Sequence, residues 1–371
     1  MKLALAAVLL AAAATTLERG SGVHASPTSA DAAYYAPVTS SDFNTIPGLF
    51  IEKELPRLNR YLYKARGQYK EESVQIQCDM AESYKNQIGR VTEHLSEGTN
   101  TPGLVPVTAN TFPKIEESMR VRAHHCVLTT WPRSVSLKDY VQSMSSEKKD
   151  KVLPAIFAQV ISALKYLRSM GFVYRTFGPE SIMVHKDTAS GVPKVTLVDL
   201  DHMLGTFKPL ELRTKEIMWH ESQAERFTDE RGYHSPEDYV PMQPLYLEKS
   251  MSWMLGATIY ASLTGMPPYG FTKVQDKVFP WGKGVLLQVM KDVHASGNNK
   301  YLPVETTNKH LATLMKTLLD CNPKTRPTIE NLNVQLVKNL VESDGTQNML
   351  EKSTTDVWNA AESATGFWKE K

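Results

Sequence analysis

The chain has 371 residues, of which 42% are hydrophobic and 22% are charged, which is ordinary for a globular protein and excludes an extended, disordered chain. Lys and Arg number 42 against 40 Asp and Glu, so the net charge of +2 creates no general attraction to nucleic acid. Three cysteines exclude both a disulfide-dense scaffold and a four-cysteine zinc site.

The first 25 residues have the pattern of a secretory signal peptide. Lys2 precedes an apolar run from Leu3 to Ala14, which is too short to span a bilayer but has the length of a signal-peptide core. We expect cleavage before Ser26; an unprocessed membrane anchor is the alternative. No later apolar run approaches about 18 residues. The sequence therefore predicts a secreted chain in an oxidising compartment, with no membrane span in its mature part.

Residues 26–48 are rich in Ala, Ser, Thr and Pro and are predicted to form a flexible leader. They contain no Arg or Lys, which argues against a basic, membrane-binding helix there. Residues 49–133 mix short β-type runs with one helix, over Met80–Leu95. The predicted strands are Arg60–Lys64, Ser73–Cys78, Thr111–Glu116 and His124–Thr130.

From residue 134 to 342 the pattern is mainly helical. Lys151–Met170 places its apolar residues on one stripe, and Gly171 is suited to end that helix. Two short apolar runs, Ser181–Val184 and Lys194–Val198, predict a hairpin. Residues 343–371 are amphipathic and predict a C-terminal helical extension, which either packs on the helical part or offers a surface to a partner.

This order predicts an α+β fold in which a small β-rich part precedes a larger helical part. Five local sequences are similar, in the same order, to motifs of protein kinases. They are Tyr174–Val184 (catalytic loop), Asp199-Leu200-Asp201 (the metal-binding Asp-Phe-Gly), Ser235-Pro236-Glu237 (Ala-Pro-Glu), Leu263–Tyr269 and Leu318–Thr328. The chain resembles a bilobal kinase over about residues 49–342, with the N-lobe at 49–133 and the C-lobe at 134–342.

The departures from the kinase motifs fall on the residues that perform chemistry. The resemblance places Thr176 at the catalytic Asp, Gly178 at the loop Lys and Ser181 at the magnesium-binding Asn. Neutral Gln77 stands where a strand Lys contacts the α- and β-phosphates. Of these groups only Asp199 is retained, so the resemblance implies an inactive kinase with no cofactor and with weak or absent ATP binding.

Further departures concern the surroundings of these positions. Only one glycine, Gly67, lies between Arg57 and Ile76, where a Gly-rich loop would approach phosphates. Asp201 replaces the glycine of Asp-Phe-Gly, and Glu93 is the candidate for the helix glutamate that would pair with the missing Lys.

The residues that hold a kinase fold together mostly persist. The resemblance implies a buried ion pair between Glu237 and Arg326, and Arg175 keeps the charge that braces the activation segment. Met251 stands where kinases place an Asp that supports the catalytic loop, and Tyr174 replaces the loop His. We expect another support for this loop, and the ring of Tyr174 is the candidate.

Strand alternation gives a hypothesis about the cysteines. If Gln77 and Thr129, at the strand-Lys and gatekeeper positions, both face the cleft, then Cys78 and Cys126 face the opposite side. The resemblance makes these strands antiparallel neighbours, so the two thiols are able to form a disulfide, leaving Cys321 as a buried free thiol. A register shift of one residue would abolish this pairing.

Two adjacent histidines are candidate metal ligands. His124 and His125 lie on one predicted strand, and alternation directs their rings to opposite sides. The sequence therefore predicts no metal site there.

A signal peptide directly followed by one kinase-like domain is similar to the secreted rhoptry-type kinases and pseudokinases of apicomplexan parasites, including their bradyzoite pseudokinase branch. The Thr130-Trp131-Pro132-Arg133 hinge and the Tyr233–Glu237 segment are similar to theirs. The resemblance implies a scaffold in the parasitophorous vacuole or cyst wall that binds a secreted kinase, a host protein or a wall component. A divergent kinase using Asp199 and a nucleotide sensor without turnover are the alternatives.

Overall fold

Five antiparallel strands form one sheet in the computed structural model, in the order β1-β2-β3-β5-β4. They are β1 (Leu49–Glu54), β2 (Tyr63–Tyr69), β3 (Glu72–Asp79), β4 (Ile115–Val121) and β5 (His124–Thr130). The structure describes residues 36–55, 63–79, 89, 91, 105–132, 134–186, 193–200, 203–205, 217–218, 232–240, 244–245, 247–275 and 277–342. Of the predicted helix Met80–Leu95 it describes only Gly89 and Val91, both helical.

Two strands differ from the predicted bounds. The strand predicted at Arg60–Lys64 is β2, which begins later and continues to Tyr69. The strand predicted at Thr111–Glu116 is β4, which continues to Val121 through a polar run. Because β4 is an edge strand that is only partly covered, it does not need the apolar alternation on which the prediction relied.

The outer face of the sheet carries its own apolar core. Tyr63, Ile76 and Leu128 are buried there, and the 3-10 turn Ser40–Phe43 covers them. The rings of Phe43 and Tyr63 stack with their centroids 5.2 Å apart. The predicted end of the flexible leader at residue 48 is therefore too late, because residues 36–48 bury Val38 and Phe43 against the sheet.

The same outer face contains the disulfide. β3 and β5 pair in antiparallel register, which places Cys78 directly opposite Cys126. Their sulfur atoms are bonded, and both side chains are buried. Cys321 is a buried free thiol in the helical part.

The carboxy-terminal part is mainly helical. Its helices are α1 (Leu137–Gln142), α2 (Ser146–Ser169), α3 (Leu247–Thr264), α4 (Lys283–Ser296), α5 (Lys309–Leu318) and α6 (Val334–Glu342). Short strands accompany them: β6 (Val135–Ser136), β7 (Phe172–Tyr174), β8 (Ile182–Lys186), β9 (Pro193–Leu197), β10 (Met203–Gly205), β11 (Ile217–Met218), β12 (Pro244–Leu245), β13 (Phe271–Val274) and β14 (Lys277–Pro280). β8 and β9 form the predicted hairpin.

The long helix α2 begins earlier than the periodicity predicts. The side chain of Ser145 caps it by accepting a hydrogen bond from the backbone N–H of Lys148, so a polar first turn precedes the apolar stripe. The stripe packs into the main core, and the chain leaves the helix at Gly171, whose φ of 82° favours glycine.

The helix α3 runs through the centre of the helical part and is buried along almost its whole length. Met251 lies inside it as an ordinary core residue, 1% exposed. None of the helices in the described part of the chain combines the length and apolar character that crossing a bilayer requires. The fold is thus α+β, with a β-rich amino-terminal part and a helical carboxy-terminal part. The predicted signal peptide, the predicted extension at 343–371, Glu93, Asp201 and Arg133 lie outside the described residues.

Candidate active-site cleft

A cleft of about 760 Å³ lies where β2 faces the helical part. It reaches Lys64 on the sheet side and Asp199, Gly178 and Ser181 on the other. Its further lining comes from α1, the start of α2, the 3-10 turn at Pro179–Ser181, Tyr233, the end of α3 with the residues after it, and the β13–β14 hairpin. These further residues are Lys138, Val141, Gln142, Lys149, Pro179, Glu180, Tyr233, Ala261, Ser262, Thr264, Gly265, Met266, Pro267, Phe271, Lys273 and Val278.

The catalytic-loop segment follows β7. The hydroxyl of Tyr174 donates a hydrogen bond to the carbonyl oxygen of Val198 at 3.0 Å, and its ring lies 5.2 Å from that of Phe177. Tyr174 thereby ties this loop to the residue that precedes Asp199. Thr176 is half-buried and is not among the residues that line the cleft.

Gly178 precedes a 3-10 turn at Pro179–Ser181, and Ser181 is the last residue of that turn. The backbone N–H of Ser181 donates to the carbonyl of Gly178 at 3.0 Å, and the N–H of Val198 donates to the carbonyl of Ser181 at 2.9 Å. The structure therefore brings Gly178, Ser181 and Asp199 to one side of the cleft. None of these residues offers a positive charge to a phosphate.

A lysine from the sheet reaches Asp199. The Nζ of Lys64 lies 2.8 Å from Oδ1 of Asp199, with side chains only 10% and 19% exposed. Lys64 is the cross-strand partner of Gln77, so the two side chains share the face of the sheet that looks into the cleft. Lys64 was not among the site residues predicted from the sequence, although pairing β2 with β3 would place its cation beside the neutral Gln77.

Two glutamines lie on the cleft face of β3. Gln75 and Gln77 are each 3% exposed, and within the described part of the chain neither Oε1 atom has a hydrogen-bond partner. Thr129, opposite Gln75 on β5, donates from its hydroxyl to the carbonyl of Gln75 at 3.5 Å. Gln77 and Thr129 thus both lie on the cleft face.

A stacked pair lies on the sheet near the segment similar to the kinase hinge, outside the residues that line the cleft. The guanidinium of Arg66 lies 3.9 Å from the ring centroid of Trp131. Burial lowers the pKa of Arg66, and the negative charges of Asp199 and Glu180 oppose this. Arg66 is the cross-strand partner of Gln75, so the two polar side chains share one face of the sheet.

Gly67 has a structural role in β2. A Cβ atom at Gly67 would lie 2.1 Å from the carbonyl oxygen of Phe50 on the neighbouring strand. The register between β1 and β2 shifts between Ile51 and Lys53, close to this point. Gly67 therefore permits the close approach of two strands and is not part of a loop that cradles phosphates.

The ion pair implied by the fold-holding motifs lies outside the cleft. The two terminal nitrogens of Arg326 lie 2.6 and 3.1 Å from the carboxylate oxygens of Glu237, and both side chains are almost fully buried. Arg326 also donates to the carbonyls of Asp320 and Lys249, and its guanidinium lies 5.0 Å from the ring centroid of Trp253. Arg175, after β7, is half-buried.

No group of three or more His, Cys, Asp or Glu side chains that could hold a metal ion occurs among the described residues. His124 and His125 lie on β5, one fully buried and one half-buried, with their side chains on opposite faces of the sheet.

Comparison with known proteins identifies the family. The profile of the protein kinase domain matches residues 110–336, more than half of the chain. Sperm motility kinase 2B of Mus musculus is 26% identical over 200 residues, 54% of this chain and 34% of that protein. Human 3-phosphoinositide-dependent protein kinase 1 is 31% identical over 112 residues, 30% of this chain and 17% of that protein.

Mitogen-activated protein kinase kinase kinase 9 of Arabidopsis thaliana is 24% identical over 198 residues, 53% of this chain and 22% of that protein. The chain thus spans about a third or less of the length of these relatives. The profile match, together with a β-rich part followed by a helical part, shows that the chain belongs to the protein kinase domain family.

Proposed function

We propose that the chain is a catalytically inactive member of the protein kinase family that acts by binding a protein partner. The observation that carries this proposal is the Lys64–Asp199 ion pair. Asp199 is the retained metal-binding position of the motif set, and a protein cation already neutralises it. A metal–nucleotide complex would have to displace that cation, and leaving the partly buried ammonium without its carboxylate would cost binding free energy.

The electrostatics of the cleft support the same conclusion. A triphosphate carries about four negative charges, which kinases offset with lysines, magnesium ions and loop backbone. Here Gln77 and Gly178 are neutral, and the charge of Lys64 is neutralised by its ion pair with Asp199.

The location and the class of partner form part of the proposal. The amino-terminal pattern and the similarity to rhoptry-type pseudokinases, above all the bradyzoite branch, support secretion into a parasitophorous vacuole or cyst wall. The partner is then a secreted kinase, a host protein or a wall component, and the chain works as a scaffold without a nucleic-acid ligand or a cofactor.

Calorimetry with ATP, with and without magnesium or manganese, tests whether the chain binds nucleotide. A radiolabel transfer assay with a mixed protein substrate then tests whether it transfers phosphate. We expect no saturable heat of binding below about 1 mM ATP. A dissociation constant of about 1 mM corresponds to a binding free energy of about −4 kcal/mol. Tight, metal-dependent binding that disappears in Asp199→Ala contradicts the proposal. A pull-down from the secreted fraction then identifies the partner.

The second candidate is a divergent phosphotransferase or nucleotide-binding regulator that uses Asp199. One observation favours it: Lys64 brings an ammonium to the cleft next to the motif Asp, where a phosphate-binding cation would be useful. Such a protein would need Lys64 to release Asp199 to a metal. Nucleotide binding that depends on both Lys64 and Asp199 would favour this candidate over the scaffold.

A further inference from the structure

The β13–β14 hairpin, which lies between α3 and α4, has no buried face. Seven of its eight strand residues are exposed, and Phe271, at its base, is half-buried. An antiparallel strand pair ordinarily packs one face on the core, and an isolated hairpin is only marginally stable in water. Within the described part of the chain, neither strand packs extensively against an element other than its partner strand. The hairpin therefore lacks the packing that normally stabilises such a pair.

Apolar side chains lie on both faces of this hairpin. The register places Val278 on the face that carries Lys273, and it places Val274 and Phe279 on the opposite face with Lys277. The first face borders the cleft, whereas the second contributes none of the cleft lining. Val274, Val278 and Phe279 are 56%, 43% and 50% exposed. A protein surface that covered one face would leave the apolar side chains of the other face in water.

The hairpin and the residues that follow it carry a positive charge. The sequence from 271 to 285 contains three lysines and one aspartate, which gives a net charge of +2. Lys273 and Lys277 are both exposed, one on each face. A lysine stem can lie along apolar groups while its ammonium stays in a polar layer, and an anionic surface attracts such a segment.

The base of the hairpin is fixed by Trp281, which is half-buried. Its backbone N–H donates to the carbonyl of Gly270 at 2.8 Å, and its indole Nε1–H donates to the hydroxyl of Thr272 at 2.5 Å. Tryptophan is suited to the boundary between an apolar and a polar layer. Four strand residues extend about 13 Å beyond this base. That length is sufficient for the depth of about 5–10 Å to which interfacial segments enter a bilayer.

We infer that the β13–β14 hairpin inserts into the interface of an anionic membrane, with Val274, Val278 and Phe279 below the headgroups and with the ammonium groups of Lys273 and Lys277 at the lipid phosphates. A membrane covers both faces at once, and its negative headgroups complement the lysines. A second copy of the chain fits less well, because a symmetric contact through either face would bring the lysines of the two hairpins together. The inference goes beyond the proposed function and does not depend on the nucleotide site.

Sedimentation of the mature chain, Ser26 to Lys371, with vesicles tests the inference. The vesicles consist of phosphatidylcholine alone or of an equal mixture of phosphatidylcholine and phosphatidylserine. We expect binding to the mixed vesicles, and a mixed lipid monolayer should show a rise in surface pressure as the hairpin inserts. Phe279→Ser should weaken binding to the mixed vesicles at least about fivefold and reduce the rise in pressure, because it removes apolar area from the inserted part.

Phe50→Ser is the matched control for Phe279→Ser. Phe50 is 65% exposed and lies on β1, in a different sheet. Its replacement by Ser should change binding less than about twofold, because it removes a similar apolar area from a surface that does not insert. Because both side chains are exposed, the urea midpoint of either variant should equal that of the wild type, which verifies that the fold is intact.

The lysines are tested with the same vesicles. Lys273→Ala/Lys277→Ala should weaken binding to the mixed vesicles at least about tenfold, because two cations at the anionic surface are lost. Lys316→Ala/Lys338→Ala is the matched control, since it removes the same number of charges from exposed positions on α5 and α6. It should change binding less than about threefold, because charges farther from the surface are screened by salt.

The inference stands if both hairpin variants lose binding and both controls keep it. Absence of binding to the mixed vesicles, unchanged binding in Phe279→Ser or in the hairpin lysine variant, or equal losses in the controls would each overturn it. A wild-type dimer in light scattering that Phe279→Ser converts to a monomer would assign the hairpin to a second copy of the chain instead. Failure of the inference leaves the inactive-kinase proposal unaffected, and tight ATP binding would refute that proposal without bearing on the hairpin.

Discussion

The ammonium of Lys64 and the carboxylate of Asp199 lie 2.8 Å apart, although 135 positions separate them in the chain. This contact replaces the missing lysine of β3 with one from β2, since Lys64 and Gln77 are cross-strand partners. The cleft is thus less depleted of cations than its motif positions indicate. However, the ammonium of Lys64 is already paired with Asp199. Because the two charges largely cancel, Lys64 offers a phosphate little attraction.

Nucleotide should stabilise the protein very little. A dissociation constant no tighter than about 1 mM means that 1 mM ATP adds at most about 0.4 kcal/mol to the free energy of unfolding. For a chain of this size the melting midpoint should then shift by less than about 2 °C, measured by differential scanning fluorimetry with magnesium. A reproducible shift of about 5 °C that Asp199→Ala removes would refute the inactive-state proposal.

The buried pair of Glu237 and Arg326 should be essential for stability. Arg326→Ala leaves the carboxylate of Glu237 buried without its partner, which we expect to cost about 3–5 kcal/mol in the free energy of unfolding. Chemical denaturation measures this loss. The matched control is Lys138→Ala, which breaks the exposed pair with Glu180 and should cost less than about 1 kcal/mol. An unchanged midpoint in Arg326→Ala would show that the pair is not what holds these segments.

The disulfide should stabilise the sheet through the unfolded state. Cys78 and Cys126 are 48 positions apart, and closing a loop of that length corresponds to about 4 kcal/mol in the chain-entropy account. The Cys78→Ala/Cys126→Ala double variant should lose a large part of this in urea denaturation, and reductant should then have no further effect on it.

Peptide mapping supplies an independent check on the pairing. In denatured, unreduced protein only Cys321 should react with iodoacetamide, because it is the free thiol. Alkylated Cys78 or Cys126 in that experiment would argue against the bond.

Asp150 should make stability depend on pH. It accepts hydrogen bonds from the hydroxyls of Thr306 and Thr307 and from the backbone N–H of Thr307, joining α2 to the segment before α5. Burial raises the pKa of Asp150, but these hydrogen bonds outweigh it and leave the pKa below its usual value. A lowered pKa in the folded state means that this contribution is complete above the unfolded pKa, near 4, and is lost as pH falls further.

Asp150→Ala should therefore lower the free energy of unfolding by about 1–3 kcal/mol at pH 7. The difference from the wild type should shrink as pH falls below about 4, in urea titrations at each pH. A difference that stays constant down to pH 3 would mean that the carboxylate charge plays no part.

The amino-acid sequence by itself determined the features that depend on local pattern. The apolar stripe of α2 and the glycine that follows it are visible in one segment, because side chains three or four positions apart share a helix face. The order of a β-rich part and a helical part was predictable for the same reason. The bounds of β4 were less predictable, since a partly covered edge strand tolerates a polar run. Those of β2 were less predictable because Lys64, Arg66 and Gln68 give one face of this strand polar residues although most of the strand is buried.

The state of the cleft was decided only by the tertiary structure. Lys64 reaches Asp199 because antiparallel register brings it beside Gln77 and because the sheet then faces the loop after β9, and neither fact is local. Likewise, Phe43 is buried because its turn lies over Tyr63. This contact is not visible in the local sequence, whose Ser and Pro content predicted a flexible leader. Contacts between segments this distant depend on register and packing, and a one-residue slip would turn Lys64 away from the cleft.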